Sequence, residues 1–114
     1  IIIMRQDKTK FVDRLDFLTT PGYLSGPGAR EEAGLPSGGG PYRVITQLAV
    51  YGYGEDTRRM KLVSLHPGVT VDEVQNNSSF EILVPEGEIP VTSVPAAEEL
   101  DLLRSLDPAG ISLK

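Results

Sequence analysis

PYRVITQLAVYGYGEDTRRMKLVSLHPGVTVDEV, residues Pro41 to Val74, is the stretch that decides the fold. Arg43 to Tyr53 carries Val44, Ile45, Leu48, Ala49, Val50, Tyr51 and Tyr53 with almost no charge. An apolar run of this kind fits a strand covered on both faces, so a central strand is expected here. Gly54-Glu55-Asp56-Thr57 supplies the glycine and acidic residues of a hairpin turn, and Met60 to Leu65 returns as a second strand. His66-Pro67-Gly68 ends that strand, because proline removes a ladder donor and glycine permits a sharp change of direction. Thr70 and Glu73 then stand at capping-box spacing, with Val69 and Val74 at the flanking staple positions, so a helix starts here. Asn76 and Asn77 close it, since asparagine tolerates the left-handed conformation at a helix C-terminus.

On the N-terminal side, Pro21 to Pro41 is a long loop, PGYLSGPGAREEAGLPSGGGP, too rich in glycine and proline for a helix or a central strand. Ala29 to Ala33 adds one helical turn inside it. Loops of this length are uncommon in compact domains and tend to be functional, interfacial or mobile. Gly38-Gly39-Gly40 lacks the Lys and Ser/Thr of a Walker loop, and Pro41 leads into a strand rather than a helix, so the phosphate-loop motifs do not apply. Packing at a subunit or active-site rim is expected instead. Phe11 to Thr20 alternates imperfectly and carries Val12, Thr19 and Thr20, which favours a strand over a helix. Arg5 to Lys10 is a polar turn before it. Ile1-Ile2-Ile3-Met4 has neither the basic leader nor the cleavage site of a signal peptide and reads as a strand already in progress. It suits a central strand of a chain that begins inside a larger fold; an edge strand shielded by a partner is the alternative.

On the C-terminal side, Phe80 to Val84 is a short strand bounded by Pro85, and residues 85–95 form an extended proline-punctuated connector. Residues 96–106 form an amphipathic helix with Leu100, Leu103 and Leu106 along one face and Leu102 beside them. Glu98 and Glu99 complement its N-terminal end and Arg104 its C-terminal end. Asp107-Pro108-Ala109-Gly110 stops the helix, leaving a short tail over 111–114. Residues 1–114 therefore make a single α/β segment.

Composition excludes several function classes. With 114 residues and 39% hydrophobic content the chain can bury one modest core. The net charge of −5 argues against nucleic acid or anionic lipid as a partner, and no segment is long and apolar enough to span a membrane. The absence of cysteine removes disulfides, thiolate chemistry and cysteine-based zinc sites, which fits a reducing cytoplasm. Asp13 and Asp16 have no histidine or further carboxylate at ligand spacing and read as a solvated face, so no metal site is expected. His66 is the single histidine. Ser64 lies two residues away without a nucleophile-elbow motif, so His66 reads as a structural corner residue rather than a general base.

Four stretches carry a family resemblance: VDRLDFLTTPGYLSGPG at Val12 to Gly28, GPYRVITQLAVYGY at Gly40 to Tyr53, RMKLVSLHPGVTVDEVQNNSSFEILVP at Arg59 to Pro85, and the acidic-leucine helix of Pro95 to Asp107. The chain resembles the C-terminal half of the B subunit of family I CoA-transferases, glutaconate CoA-transferase type. The SLHPGVTVDEV segment is the most specific piece, and it is also similar to the steroid-ring-opening CoA hydrolases of the same superfamily.

The resemblance implies the C-terminal part of a three-layer α/β CoA-transferase-like fold in which A and B subunits pair. It implies coenzyme A as a substrate, exchanged between an acyl-CoA and a carboxylic acid, with a B-subunit glutamate as the attacking nucleophile. In the family that glutamate and the glycine-rich oxyanion segment lie in the first half of the subunit. None of Glu31, Glu32, Glu55, Glu73, Glu81, Glu86, Glu88, Glu98 or Glu99 occupies the motif, so no catalytic residue is assigned. The segment is expected to be structural and interfacial, inactive alone, with the A subunit and the N-terminal half of the B subunit as partners. A ring-opening acyl-CoA hydrolase and a non-enzymatic interaction module are the alternatives.

Overall fold

The computed structural model describes residues 1–111, so the tail expected over 111–114 lies, past Ile111, outside the described residues. In chain order the elements are β1 (Ile2–Ile3), α1 (Ala29–Glu32), β2 (Val44–Ile45), β3 (Ala49–Tyr53), β4 (Met60–Leu65), α2 (Val71–Asn76) and α3 (Ala97–Leu106). The four strands form one sheet in the order β1-β2-β3-β4, parallel between β1 and β2 and antiparallel elsewhere.

The expected single strand from Arg43 to Tyr53 is instead two. Thr46 breaks it: the Thr46 hydroxyl accepts from the amides of Leu48 and Ala49 at 3.1 and 3.2 Å, and the Thr46 amide donates to the Ala49 carbonyl at 3.0 Å. This side-chain-stabilised turn folds β2 back onto β3, with Val44 opposite Tyr51 and Ile45 opposite Val50. The apolar pattern conceals the turn because Leu48, just before β3, is itself buried. β3 lies between β2 and β4, and each of its residues is buried or half-buried. The β3–β4 turn at Glu55 to Thr57 follows the acidic signal in the sequence.

Ile1 to Met4 supplies the strand β1, paired on one side within the described residues. It is tied to β2 by the Ile2 amide to the Arg43 carbonyl at 2.9 Å and the Met4 amide to the Ile45 carbonyl at 3.1 Å. Ile2 and Ile3, which point to opposite faces, are 44% and 79% exposed, so neither face of β1 is fully covered by the described residues. Phe11 to Thr20, in contrast, forms no strand. Phe11 alone anchors it, buried in the core, with its carbonyl accepting from the Ser79 amide and hydroxyl at 2.9 and 2.7 Å. Beyond it the chain runs through bends with Leu15, Phe17 and Leu18 exposed, so no packing rewards an extended conformation.

Phe80 to Val84 also falls short of a strand, making a single parallel bridge between Leu83 and Lys61. A second bridge, Val91 to Leu65, shows the 85–95 connector also running beside β4. Pro85 and Pro90, which have no N–H to give, and the turn at Gly87 (φ +87°) prevent a continuous ladder.

α2 begins as its sequence signal requires, with the Thr70 hydroxyl accepting from the Glu73 amide at 3.2 Å. The reciprocal Glu73-to-Thr70 half of the box is not formed among the described residues. Asn77 ends the helix at φ −102° rather than in the left-handed region, its side-chain amide donating to the Glu73 carbonyl at 2.9 Å. Val74 is the buried residue of α2 and joins Phe11, Val44, Leu48, Ala49, Tyr51, Leu62, Leu65 and Ile82 in the core. α3 buries none of its residues; its first turn is held by the Ala96 amide donating to the Glu99 carboxylate at 2.8 Å.

Candidate functional site

His66 sits where β4 ends, and both ring nitrogens have partners. Nε2 lies 2.9 Å from the Thr46 carbonyl oxygen, which can only accept, so Nε2 carries the proton and donates. Nδ1, 3.1 Å from the Thr92 hydroxyl, is then the acceptor in the neutral ring. The Ser64 hydroxyl, 3.1 Å from the same Thr92 oxygen, completes a directional chain from Ser64 through Thr92 to His66. The ring thereby ties the β2–β3 turn to the segment beside β4. Sequence reasoning misses Thr92, whose signal is only a polar residue in a proline-punctuated connector.

An open groove of about 530 Å³ runs past His66, Pro67, Thr92, Val94 and Glu99. Glu99, the carboxylate in the groove wall, is engaged in capping α3. Among the described residues no carboxylate is hydrogen-bonded to His66, and Ser64 bonds Thr92 rather than the ring. The arrangement orients an imidazole and lacks the nucleophile–base contact that acyl chemistry needs.

The glutamates are dispersed. Glu73 heads α2 and Glu81 pairs with Arg59 at 3.1 Å on the surface. Asp13 and Asp16 are exposed, and among the described residues no three His, Cys, Asp or Glu groups gather as metal ligands. Asp7 is the strongly shifted carboxyl: hydrogen bonds from the Thr9 hydroxyl and then from Lys10 hold it at about 2. The Lys10 ammonium stands 2.9 Å from it. No helix of the described residues is long and apolar enough to cross a membrane.

The 21–41 loop folds over the β3–β4 hairpin through aromatic contacts. Tyr23 packs edge-on against Tyr53 with centroids 4.9 Å apart, and its hydroxyl donates to the Pro41 carbonyl at 2.8 Å. Burial, and secondarily the neighbouring Tyr23, raises the Tyr53 hydroxyl above its usual pKa. Gly40 permits this closure, since a Cβ there would stand 2.7 Å from the Tyr23 ring.

Apolar surface is extensive elsewhere. A groove of about 260 Å³ lined by Ile2, Met4, Leu15, Val44 and Met60 opens beside exposed Ile1 and Ile3. On α3, Leu102, Leu103 and Leu106 are 61%, 41% and 75% exposed.

Residues 1–77 match the family model of coenzyme A transferases. The chain is 37% identical over 82 residues to the B subunit of glutaconate CoA-transferase from Acidaminococcus fermentans, covering 72% of this chain and 31% of that protein. It is 36% identical over 107 residues to the B subunit of 3-oxoadipate CoA-transferase from Pseudomonas knackmussii, covering 94% of this chain and 40% of that one. A third relative, the IpdB subunit of the cholesterol ring-cleaving hydrolase from Rhodococcus jostii, is 42% identical over 73 residues, 61% of this chain and 28% of that protein. The crystal structure of the Acidaminococcus fermentans glutaconate coenzyme A-transferase superimposes with a TM-score of 0.88 at 30% identity, over 99% of this chain and 43% of that one. The chain spans two fifths or less of the length of the curated relatives it matches. Its mixed sheet and flanking helices are the α/β fold of that enzyme, and the chain belongs to the coenzyme A transferase family.

Proposed function

We propose that this chain works as part of a heteromeric CoA-transferase of the glutaconate type, moving CoA between an acyl-CoA and a carboxylic acid in the cytoplasm. Its own contribution is sheet, packing and interface. Its partners are an A subunit and the remaining, N-terminal half of a B subunit, with an acyl-CoA and a carboxylic acid as substrates. The attacking glutamate comes from that other half, so no glutamate of this chain is catalytic and this chain alone does not turn over.

The observation that carries this reading is the TM-score of 0.88 over 99% of the chain against less than half of a glutaconate coenzyme A-transferase chain. The surface supports it. The accessible area is 8337 Å², where a compact monomer of this mass exposes about 6,100 Å². The radius of gyration is 16.3 Å, where a self-contained domain of this length has about 13 Å. Exposed Ile1, Ile3, Phe17 and Leu106 account for part of that excess and are the kind of surface a protein partner covers.

Reconstitution of the chain with the two missing parts tests the proposal. CoA transfer between two carboxylic acids, with a trappable glutamyl-CoA thioester on the other half of the B subunit, is the expected result. The identity to one component of a ring-cleaving hydrolase supports a second reading, ring-opening hydrolysis of an acyl-CoA. Consumption of a cyclic acyl-CoA with no acceptor acid present and no enzyme-bound thioester would select it.

A further inference from the structure

A partly enclosed cavity of about 190 Å³ lies between the 21–41 loop and the β3–β4 turn, walled by Tyr23, Arg30, Glu31, Gly38, Gly39 and Arg58. Two arginines, Arg30 and Arg58, line this one small space. Arg30 is fixed there: its Nη1 donates to the Gly22 carbonyl at 2.6 Å, while its Nε is buried with no partner. A buried donor left unmatched is costly, and a missing ion or ligand is a standard reason for one to persist. Gly39 leaves the Nη2 side of the same guanidinium clear, since a Cβ would stand 2.6 Å from Nη2. Arg58 adopts φ +55° and lays its guanidinium 5.2 Å from the centroid of Tyr23. Glu31, although in the wall, pairs with neither arginine, and the ion pairs of the described residues involve other cations. The amide of Gly38 donates to no described group.

Two arginines on one cavity favour an anion between them. A carboxylate presents two oxygens in one plane, which a single guanidinium fork satisfies. A phosphate presents oxygens in tetrahedral directions and engages donors from two sides at once. We propose that this cavity binds a phosphate group, held by the Nε–Nη2 edge of Arg30 and by Arg58, with the Gly38–Gly39 backbone against it. The triple glycine lacks the lysine of a phosphate-binding loop motif; here the arginines supply the charge.

The test is a titration of the full chain with inorganic phosphate at constant ionic strength, read from 15N–1H spectra. Saturable shifts of the Arg30 Nε–H and of the Gly38 and Gly39 amides are expected. Arg58→Gln should weaken binding about tenfold or more, the loss of one charge-assisted contact. Arg30→Gln should abolish it, and because that change also removes the bond to Gly22, the exposed Arg58 carries the decision. Methyl phosphate in a parallel titration separates sources: tighter than inorganic phosphate assigns an ester of a larger molecule, weaker assigns the free ion. Shifts reproduced by acetate or chloride at equal concentration, no saturable shift, or unchanged affinity in Arg58→Gln would overturn the site.

Discussion

The Gln6 side-chain amide donates to the Val74 carbonyl at 3.0 Å, joining the first turn of the chain to the helix that follows the β-hairpin. Gln6 is 1% exposed, and its carbonyl end also accepts from the hydroxyls of Tyr51 and Thr46. Gln47 grips its backbone from the other side, with two bonds of 2.8 Å. One polar residue therefore holds β3, the β2–β3 turn and α2 in register. Gln6→Leu strips the Tyr51 hydroxyl of its acceptor, while the Val74 carbonyl keeps the Asn77 amide and the Thr46 hydroxyl keeps the Ala49 carbonyl, and the expected cost is about 1–3 kcal/mol. Urea unfolding of the variant should show a lower midpoint at unchanged slope; a midpoint within error of wild type would mean the network contributes nothing net.

The elements legible in the sequence are those whose signals are local. The β3–β4 hairpin, the Thr70 cap and the leucine face of α3 each follow from spacing within a dozen residues or fewer. The elements misread depend on distant partners. Phe11 to Thr20 alternates passably, but only Phe11 meets the core, through Ser79 and a ring stacked on Phe80 at 6.1 Å. The Thr46 turn sits inside an apolar run and is visible only once its hydroxyl is seen to accept two amides. Neither the Arg30–Arg58 cavity nor the Thr92 contact of His66 has a sequence spacing to betray it, since each arises from loops folded back on the sheet.

In its neutral form His66 should be found as the Nε2–H tautomer, because the Thr46 carbonyl dictates a donor at that nitrogen. The 15N shifts of the two ring nitrogens read this directly. Thr92→Val removes the donor to Nδ1 while keeping the shape, so the Nδ1 shift should move and the Nε2 bond should remain. A ring with its proton on Nδ1 would contradict the contact with Thr46.

Asp7 should titrate at about 2, below its ordinary 3.8, because the charged form accepts from Thr9 and Lys10. The folded-state value is depressed, so whatever the carboxylate contributes is present above the unfolded value and is lost as pH falls from about 4 through 2. Thr9→Ala should bring the midpoint back toward 3.8. Carboxyl 13C shifts across that range are the measurement; since the group is solvent-exposed, loosening of the local turn rather than global unfolding should accompany protonation.

Leu103 and Leu106 test whether the apolar face of α3 belongs to an interface. They are 41% and 75% exposed, and no α3 residue is buried, so the chain's own stability owes them little. The double variant Leu103→Ser and Leu106→Ser should therefore unfold within about 0.5 kcal/mol of the parent. Its association with the proposed A subunit and N-terminal half should weaken by about tenfold or more if these side chains are buried there, since exposed leucines gain burial only on assembly. Sedimentation of the reconstituted assembly separates the outcomes. Lost stability with intact assembly would place this face against the chain's own core, and unchanged stability with unchanged assembly would leave the helix without an interfacial role.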